Sequence, residues 1–216
     1  MMIDLHMHTV FSDGELIPSE LVRRAQVLGV RKMAITDHGD ASNMDWIIPR
    51  IVDVSAQLNR VLDIVVLPGI EITHVPPELI AATAKRARKL GAAIIVLHGE
   101  TIVEPVAPGT NEAGLGADID VLAHPGLITR SQVAAAKEKG ILLEITARKG
   151  HSLTNGHVAK LAAEVGASLV INTDSHGPGD LIDETTARQI VCGAGLTEYD
   201  LVRMQQNAES LIEKRA

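Results

Sequence analysis

The 216-residue chain is rich in aliphatic residues and almost free of aromatic ones, since 46% of it is hydrophobic but only 1% is Phe, Trp or Tyr. This composition predicts a core of Val, Ile, Leu and Ala, and it argues against a protein that stacks nucleic-acid bases on aromatic rings. The formal net charge of −7 also disfavours a polyanionic partner. Three divalent cations bound in one cleft would bring that charge to about −1, so charge alone does not exclude a nuclease.

Short apolar runs alternate along the chain with segments of helical periodicity. The runs begin near Ile3, Met33, Val65, Ala93, Ile119, Leu142 and Leu169. The helical segments predicted between them are 18–28, 45–62, 76–90, 131–139 and 157–165. Glycine follows four of these segments, at Gly29, Gly91, Gly140 and Gly166, where a left-handed residue commonly ends a helix. Alternating strands and helices predict βα units around a parallel sheet.

The number of these units favours one α/β barrel. Seven units account for most of the chain, with no linker or low-complexity tract between them, so we expect a single domain over residues 1–216. Residues 101–117 contain two prolines and three glycines and are predicted to form a loop on the active face. A last helix, about 197–215, begins with the capping pair Thr197 and Asp200 and is expected to pack on the barrel.

Side chains with metal-binding chemistry follow nearly every predicted strand. His6 and His8 are two residues apart and point to the same side, so the pair can give one metal two imidazoles. Ile3, Leu5 and Met7, on the other side, are expected to meet the outer helices. Later strands end in Asp37-His38, Glu71, His98, His124 and Asp174-Ser175-His176, and Asp13 lies just after the first strand. The carboxyl ends of barrel strands converge on one face, where we predict a metal centre.

The distribution of histidines supports this prediction. Six of the nine histidines fall at strand ends, and His74 and His151 lie in loops just beyond them. Only His157 lies elsewhere, on a predicted helix. A lone inward histidine is usually a core residue, but six of them beside three carboxylates at one face are typical of a metal site.

In order and spacing, these motifs resemble those of the polymerase and histidinol phosphatase (PHP) superfamily. They are His6-x-His8, Asp13, Thr36-Asp37-His38, Gly69-x-Glu71, His98, His124-Pro125 and Asp174-Ser175-His176, and they span most of the chain. The resemblance implies a distorted (β/α)7 TIM-like barrel, here with an extra C-terminal helix, that holds two to three divalent metals (Zn, Mn or Fe). It implies a first site of His6, His8, Glu71 and Asp174, a second of Glu71, His98 and His124, and a third of Asp13, His38 and His176.

One position departs from the superfamily pattern. Many members have His where this chain has Asp13. A carboxylate suits harder cations such as Mn²⁺ better than imidazole does. We therefore expect the third site to bind its metal more weakly, or to bind a different metal.

The implied ligand arrangement predicts a hydrolytic mechanism. Two metals bridged by Glu71 are expected to lower the pKa of a shared water, and the resulting hydroxide would attack phosphorus. The third metal would hold a phosphate oxygen and offset developing charge. Glu71, Asp174 and His176 are therefore the predicted catalytic residues, with His176 or a metal-held water as the candidate acid for the leaving group.

Charged residues near the strand ends supply further candidates. The predicted substrate contacts are Arg130, Arg148, Lys149 and His151, whose alternative role is that of ordinary surface charges. Asp4 and Asp37 are expected either to orient imidazoles or to be solvated or to cap helices. Glu144 is interpreted as a paired carboxylate in the barrel core, or else as a substrate contact. The basic run 85–89 lies on a predicted helix and is interpreted as an exposed face.

The predicted function is a phosphoesterase, most simply a phosphomonoesterase that acts on a small phosphorylated metabolite or nucleotide. The alternatives are a nuclease or phosphodiesterase, a hydrolase of a non-phosphate bond, and a non-catalytic metal-binding module. The acidic charge, the scarcity of aromatic residues and the lack of a polymerase domain argue against the nuclease. The complete ligand set argues against the non-catalytic module.

The sequence also predicts where the protein resides. Cys192 is the only cysteine, so no disulfide can form within the chain, as is usual in a reducing compartment. The first residues, MMIDLHMH, lack the basic and apolar segments of a signal peptide, and no run of about 18 apolar residues follows. We therefore expect a cytoplasmic protein without a membrane contact.

Overall fold

A computed structural model describes residues 2–215 and shows a nearly closed barrel of parallel strands. The strands are β1 (Met2–Asp4), β2 (Val30–Ile35), β3 (His38–Gly39), β4 (Val65–Ile72), β5 (Ile94–His98), β6 (Val121–Ala123), β7 (Leu142–Thr146) and β8 (Leu169–Asn172). Around the barrel the order is β1, β2, β4, β5, β6, β7, β8, and the short β3 pairs with the end of β4. The predicted α/β barrel is confirmed.

Helices cover the outside of this sheet. They are α1 (Pro18–Val27), α2 (Met44–Leu58), α3 (Pro77–Leu90), α4 (Thr110–Leu115), α5 (Arg130–Lys139), α6 (Asn155–Val165), α7 (Glu184–Gly193) and α8 (Glu198–Arg215). Left-handed glycines end three of them, at Gly91, Gly140 and Gly166. None of the helices within residues 2–215 has the length and hydropathy that crossing a bilayer requires.

The first and last strands close the barrel through a few backbone contacts beyond their assigned ends. Met7 and Ser175 form an isolated parallel bridge, in which His8 N–H donates to the Ser175 carbonyl at 2.9 Å. Asp174 N–H donates to the carbonyl of His6, also at 2.9 Å. The bonds that close the barrel are therefore made by the same backbone that carries three predicted metal ligands.

Two apolar clusters lie on the two sides of the sheet. The larger cluster joins the outer faces of the strands to helices α1 to α7 and to the start of α8, and it includes Met33, Ile70, Leu97 and Ile145. The smaller one fills the barrel interior with Ile3, Leu5, Ala34, Leu67, Ile94, Val96, Val121, Ala123, Leu142 and Val170. These interior positions alternate with outer ones along each strand, as the pleat of a β-strand requires.

Helix α8 closes the amino-terminal end of the barrel. Its apolar residues Ala208, Leu211 and Ile212 belong to the interior cluster. Polar contacts hold it there, since Gln205 Oε1 accepts from Ile3 N–H at 2.6 Å and Arg215 Nε donates to Asp120 Oδ1 at 2.8 Å. With this end covered, the carboxyl ends of the strands form the mouth of the barrel.

Three details differ from the sequence prediction. Residues 101–117 contain the short helix α4, because Leu115 and Ile119 find apolar partners in the outer cluster. Helix α7 was not predicted, since its residues lie between the last strand and a turn and show only a short apolar stripe. Ile3 and Leu5 belong to the interior cluster, and only Met7 belongs to the outer one. The three do not share a side because β1 ends at Asp4, so the alternation does not continue to Met7.

Candidate metal centre

All nine predicted ligands lie at the carboxyl ends of the strands, around one cleft. Six of them are between 0 and 3% exposed: His6, His8, Glu71, His98, His124 and Asp174. Asp13, His38 and His176 are more open and lie on the solvent side. The cleft has a volume of about 270 Å³. The structure thus brings together every residue that the sequence predicted as a ligand.

Around the first predicted site, four donor groups face one another. His6 Nε2 lies 3.3 Å from Glu71 Oε1 and 3.6 Å from Asp174 Oδ1. His8 Nε2 lies 3.2 Å from Asp174 Oδ1 and 3.7 Å from Glu71 Oε2. Donor atoms that share one tetrahedral zinc ion, with bonds of about 2.0–2.1 Å, lie about 3.3 Å apart. The spacing therefore fits a shared cation.

The second predicted site lies beside the first and shares Glu71 with it. His124 Nε2 lies 3.6 Å from Glu71 Oε1 and 3.6 Å from Asp174 Oδ2. His98, His124 and His151 place ligand nitrogens within 4.8 Å of one another. Glu71 consequently faces the histidines of both sites, which is the position of a bridging ligand.

At the third predicted site, Asp13 faces two imidazoles. Its Oδ1 lies 3.4 Å from His38 Nε2 and 3.2 Å from His176 Nε2, and the two nitrogens are themselves 3.4 Å apart. His8 joins the same group, in which all four donors lie within 4.8 Å. The aspartate therefore completes a donor set on the open side of the cleft.

Hydrogen bonds on the far side of the rings determine which nitrogen can bind a metal. His6 Nδ1 lies 2.8 Å from Glu144 Oε2, and His176 Nδ1 lies 3.0 Å from the carbonyl of Asp174. Both partners are acceptors, so each Nδ1 donates, and each neutral ring presents the lone pair of Nε2 to the cleft. The atoms that face these lone pairs are carboxylate oxygens, and a cation between them would resolve the conflict.

Several buried polar atoms in the described chain also lack a hydrogen-bond partner. Five of these atoms belong to the predicted ligands: His6 Nε2, His8 Nδ1 and Nε2, Glu71 Oε1 and His124 Nδ1. A buried polar group left unsatisfied costs about 1–3 kcal/mol. Divalent cations would satisfy three of them, namely His6 Nε2, His8 Nε2 and Glu71 Oε1, and the residues present therefore fit a centre of several such cations.

Without a cation, the donors pair with one another through protons. Although burial opposes it, the neighbouring carboxylates raise the pKa of His6 well above its usual value, so a proton takes the place that a metal would occupy. Burial would raise the pKa of Glu71, but the neighbouring His6 and His38 hold that pKa well below its usual range. Burial likewise opposes ionisation of Asp174, whose pKa is nevertheless lowered by His6 and His8. Burial lowers the pKa of His8 to about 3. Charged carboxylates and a neutral imidazole are the forms that bind metals.

Two of the predicted ligands occupy an uncommon backbone conformation. The φ angle is +26° at His124 and +53° at Asp174. Residues other than glycine rarely adopt positive φ, and such conformations cost about 1–3 kcal/mol and cluster at functional sites. Both residues follow closely on a strand, so the chain turns into the cleft at these points.

Asp4 and Asp37 make their hydrogen bonds to backbone and hydroxyl groups and not to imidazoles. Asp4 accepts from the N–H of His6 at 3.1 Å and from that of Thr173 at 3.0 Å. Asp37 accepts from Thr9 N–H at 2.7 Å and from the Ser12 hydroxyl at 2.7 Å. They therefore hold the segments that carry the ligands, and Asp37 holds the loop that carries Asp13.

Of the predicted substrate contacts, Arg148 lines the cleft and Lys149 lies on the surface beside it. Arg148 Nε is 3.8 Å from Asp174 Oδ2, and its Nη1 is 3.5 Å from Asp180 Oδ2. Lys149 lines the adjoining surface together with Arg148 and His176. The guanidinium group of Arg148 thus lies at the edge of the predicted ligands.

The other two predicted substrate contacts are placed differently. His151 lies inside the cleft, almost completely buried, and its ring stacks on that of His124 with 4.2 Å between centroids. Arg130 begins α5 and pairs with Glu164 of α6 on the outer surface. The structure therefore does not bring Arg130 to the site, because its place at the start of a helix turns it toward the neighbouring helix.

Sequence reasoning missed one acidic residue at the cleft. Glu104, in the segment 101–117, places Oε2 3.1 Å from His98 Nε2. Nothing in its sequence surroundings signals this role, because the segment has no strand or helix periodicity around it. For Glu144 the sequence indicated an inward carboxylate, but its partner His6 lies 138 positions away and could not be inferred.

Sequence comparison finds similarity along most of the chain. The family model of the PHP domain matches residues 4–98. An uncharacterized protein of Methanocaldococcus jannaschii is 51% identical over 203 residues, which cover 93% of this chain and 93% of that protein. A probable phosphatase of Shewanella pealeana is 30% identical over 219 residues, which cover 88% of this chain and 83% of the relative.

Solved structures share the fold at lower identity. A chain in archaeal ribonuclease P with mature tRNA matches with a TM-score of 0.74 and 17% identity, covering 98% of this chain and 90% of that one. The histidinol phosphate phosphatase of Lactococcus lactis, complexed with zinc, L-histidinol and phosphate, matches with a TM-score of 0.62 and 16% identity. That match covers 90% of this chain and 94% of the other. At these identities the likeness is one of fold.

Proposed function

We propose that this chain, which belongs to the PHP domain family and is a metal-dependent phosphoesterase, hydrolyses a phosphomonoester of a small metabolite or nucleotide. We further propose that it folds as a single domain and holds two to three divalent ions (Zn, Mn or Fe). Their ligands would be His6, His8, Asp13, His38, Glu71, His98, His124, Asp174 and His176. The zinc and phosphate of the L. lactis phosphatase support a centre of this kind.

One observation carries the proposal. Neutral His6 and His176 would direct the Nε2 lone pair toward a carboxylate oxygen, at 3.3 Å from Glu71 and 3.2 Å from Asp13. Their Nδ1 atoms already donate to other acceptors on the far side of the rings. A divalent cation between the nitrogen and the oxygen would account for both contacts, and it would also satisfy the unpaired His6 Nε2, His8 Nε2 and Glu71 Oε1.

The chemistry divides between the cations and the chain. When bound, divalent cations polarise a phosphoryl oxygen and acidify a water molecule. Arg148 is held beside Asp174 and Asp180 with N–H groups that can donate to phosphate oxygens. The Nε2 atom of His176 faces Asp13, which supports a ligand role for His176 over that of an acid for the leaving group.

The size and charge of the cleft favour a small monoester. Its volume of about 270 Å³ lies just below the range of about 300–1,000 Å³ that is common for ligand pockets. Arg148 is the one arginine or lysine among the described residues that line it. A single cationic side chain suits one phosphate group and not a polynucleotide backbone, which needs several.

The test is metal analysis of purified protein combined with hydrolysis of a panel of phosphomonoesters and one diester. We expect two to three divalent ions per chain and turnover of a monoester. His8→Ala and Asp174→Ala should lose metal and lower kcat/KM by more than about 100-fold, since removing a ligand exceeds the effect of removing a group that only orients one.

His157→Gln provides a matched control. This histidine lies on α6, and its Nε2 bonds to the Ile128 carbonyl at 2.7 Å, away from the cleft. The variant should keep both metal and rate. Metal binding without hydrolysis of any phosphate ester would contradict the proposal, and faster cleavage of the diester than of every monoester would favour a nuclease. A parallel panel of amides and lactones tests the non-phosphate alternative.

A further inference from the structure

The segment between β5 and α4 brings a carboxylate to three histidines. Glu104 Oε2 lies 3.1 Å from His98 Nε2 and 3.3 Å from His74 Nε2. Its other oxygen, Oε1, lies 3.3 Å from His151 Nε2. One carboxylate thus meets three imidazoles from three different segments of the chain.

The hydrogen bonds of His98 determine how it meets this carboxylate. Its Nδ1 lies 3.2 Å from the carbonyl of Gly99, which can only accept, so Nδ1 carries the proton. A neutral His98 therefore points the lone pair of Nε2 at Glu104 Oε2, so that two hydrogen-bond acceptors face each other. His151 also directs its Nε2 at Glu104, while its Nδ1 lies 2.7 Å from the Thr101 hydroxyl, which can either donate or accept.

Two groups of possible metal ligands overlap beside Glu104. His98, His124 and His151 form a group whose ligand nitrogens lie within 4.8 Å of one another, and His74, His98 and Glu104 form a second such group. His98 is common to both groups. The separations of 3.1 and 3.3 Å around Glu104 match the distance of about 3.3 Å between donors on one tetrahedral ion.

We propose that Glu104 and His151 are additional ligands of the metal that His98 and His124 hold. This inference rests on the proposed function, since it completes the same metal centre. The second metal would then have a charged ligand supplied by a loop, in addition to the ligands supplied by the barrel strands.

The loop that carries Glu104 is held in place by hydrogen bonds at both of its ends. Its two ends are anchored, since Glu100 Oε1 accepts from the N–H groups of Gly109 at 3.1 Å and Asn111 at 2.9 Å, while the Thr101 hydroxyl contacts His151. Between the anchors, Ile102 and Val103 are exposed. Glu104 thus projects into the cleft from a segment that packs on little else, and the contact with the histidines is its principal attachment.

The experiment measures metal binding directly. Apo-protein prepared with a chelator is titrated with Zn²⁺ by calorimetry and with Co²⁺ by visible absorption. We expect Glu104→Gln and His151→Gln each to weaken one site by about 10–100-fold or more, and to leave the remaining sites unchanged. The Co²⁺ spectrum of the weakened site should change in both variants, because both remove a ligand from the same ion.

Glu112→Gln is the matched control, because Glu112 lies on α4 in the same connection and is exposed. It should titrate as the wild type does. Thermal unfolding of each apo-variant, compared with apo-wild type, separates loss of a ligand from loss of fold. Glu104→Asp offers a second variant that keeps the charge, and it should retain more affinity than Glu104→Gln.

The outcomes separate the inference from the function it rests on. If wild type binds metal and cleaves a phosphomonoester while Glu104→Gln titrates like wild type, then Glu104 forms an ordinary ion pair with a protonated His98 and the inference is overturned. If wild type binds no metal at all, the proposed function itself fails, and the inference fails with it.

Discussion

Glu144 is a buried carboxylate that lies behind His6, one of the proposed metal ligands. It is completely buried, and its Oε2 accepts from His6 Nδ1 and from Asn172 Nδ2, both at 2.8 Å. The bond to His6 selects the tautomer whose Nε2 faces the cleft, and the negative charge makes that nitrogen a stronger donor. Asn172 in turn holds the carboxylate in its orientation.

The hydrogen bond between Glu144 and His6 leads to a prediction for Glu144→Gln. The amide keeps the shape of the side chain but lacks the charge, and it can direct an N–H toward His6. We expect the affinity for metal to fall by about 10–100-fold, with a similar loss of kcat/KM at limiting metal. Calorimetric titration and steady-state kinetics measure the two effects.

Glu164→Gln is the control for that variant, because it makes the same change at a partly exposed residue that pairs with Arg130 on the outer surface. It should leave metal binding intact. Wild-type metal affinity in Glu144→Gln would show that the hydrogen bond to His6 positions nothing that the metal requires.

The sequence alone indicated which side chains would meet at the cleft, but it did not indicate the groups that support them. His6, His8 and His98 could be identified because the alternation of strands and the position of strand ends are local patterns. Glu104 and the partner of Glu144 could not, because each depends on contacts between segments far apart in the chain. Arg130 was predicted to contact the substrate but lies on the outer surface, because a position after a strand does not determine where a long side chain points.

At the scale of elements, the turn after β6 is held by a close backbone approach. Gly126 has φ of +63°, and a Cβ atom on it would lie 1.8 Å from the carbonyl oxygen of Glu100. This contact joins the turn that follows His124 to the start of the loop that carries Glu104. Gly140 has a similar φ of +69°, but a Cβ there would meet nothing within 4 Å.

The two glycines make a matched pair of substitutions. Gly140→Ala should cost about 1–2 kcal/mol of unfolding free energy, from the left-handed conformation alone. Gly126→Ala adds a steric clash with backbone and should cost about 1–3 kcal/mol more. Chemical denaturation of the two variants measures the difference. Equal losses would mean that the Glu100 segment moves aside freely.

Elements with local signals could be predicted from the sequence, and the others could not. Helices α3, α5 and α6 were predicted to within a few residues because periodic apolar positions precede a glycine. Helix α4 has only six residues and depends on tertiary contacts for its stability. Helix α7 was missed because it follows the last strand without the expected βα spacing.

The whole molecule has one end that is closed by α8 and another that carries the donor groups. Leu211 is 8% exposed and belongs to the interior cluster, whereas Val202, on the same helix, is 52% exposed. Because the proposed metal ligands lie at the carboxyl ends of the strands, the closed end contributes to stability without contacting them. Stability and metal binding should therefore respond separately to substitutions in α8.

Leu211→Ala tests that separation. Truncation of a buried leucine should cost about 2 kcal/mol or more, while Val202→Ala should change stability by no more than about 0.5 kcal/mol. Below the unfolding transition, both variants should bind as much metal as wild type. Thermal unfolding and metal analysis provide the two measurements, and loss of metal from folded Leu211→Ala would show that the two ends are coupled.

The position of α8 has a practical consequence for the handling of this protein. Met2 begins β1, and Arg215 contacts Asp120 just before β6, so both ends of the described chain lie at the base of the barrel. A tag, fluorophore or solid support joined near either end is held away from the mouth. Immobilised protein should therefore present its cleft to solution, which suits surface-based screening of phosphorylated compounds.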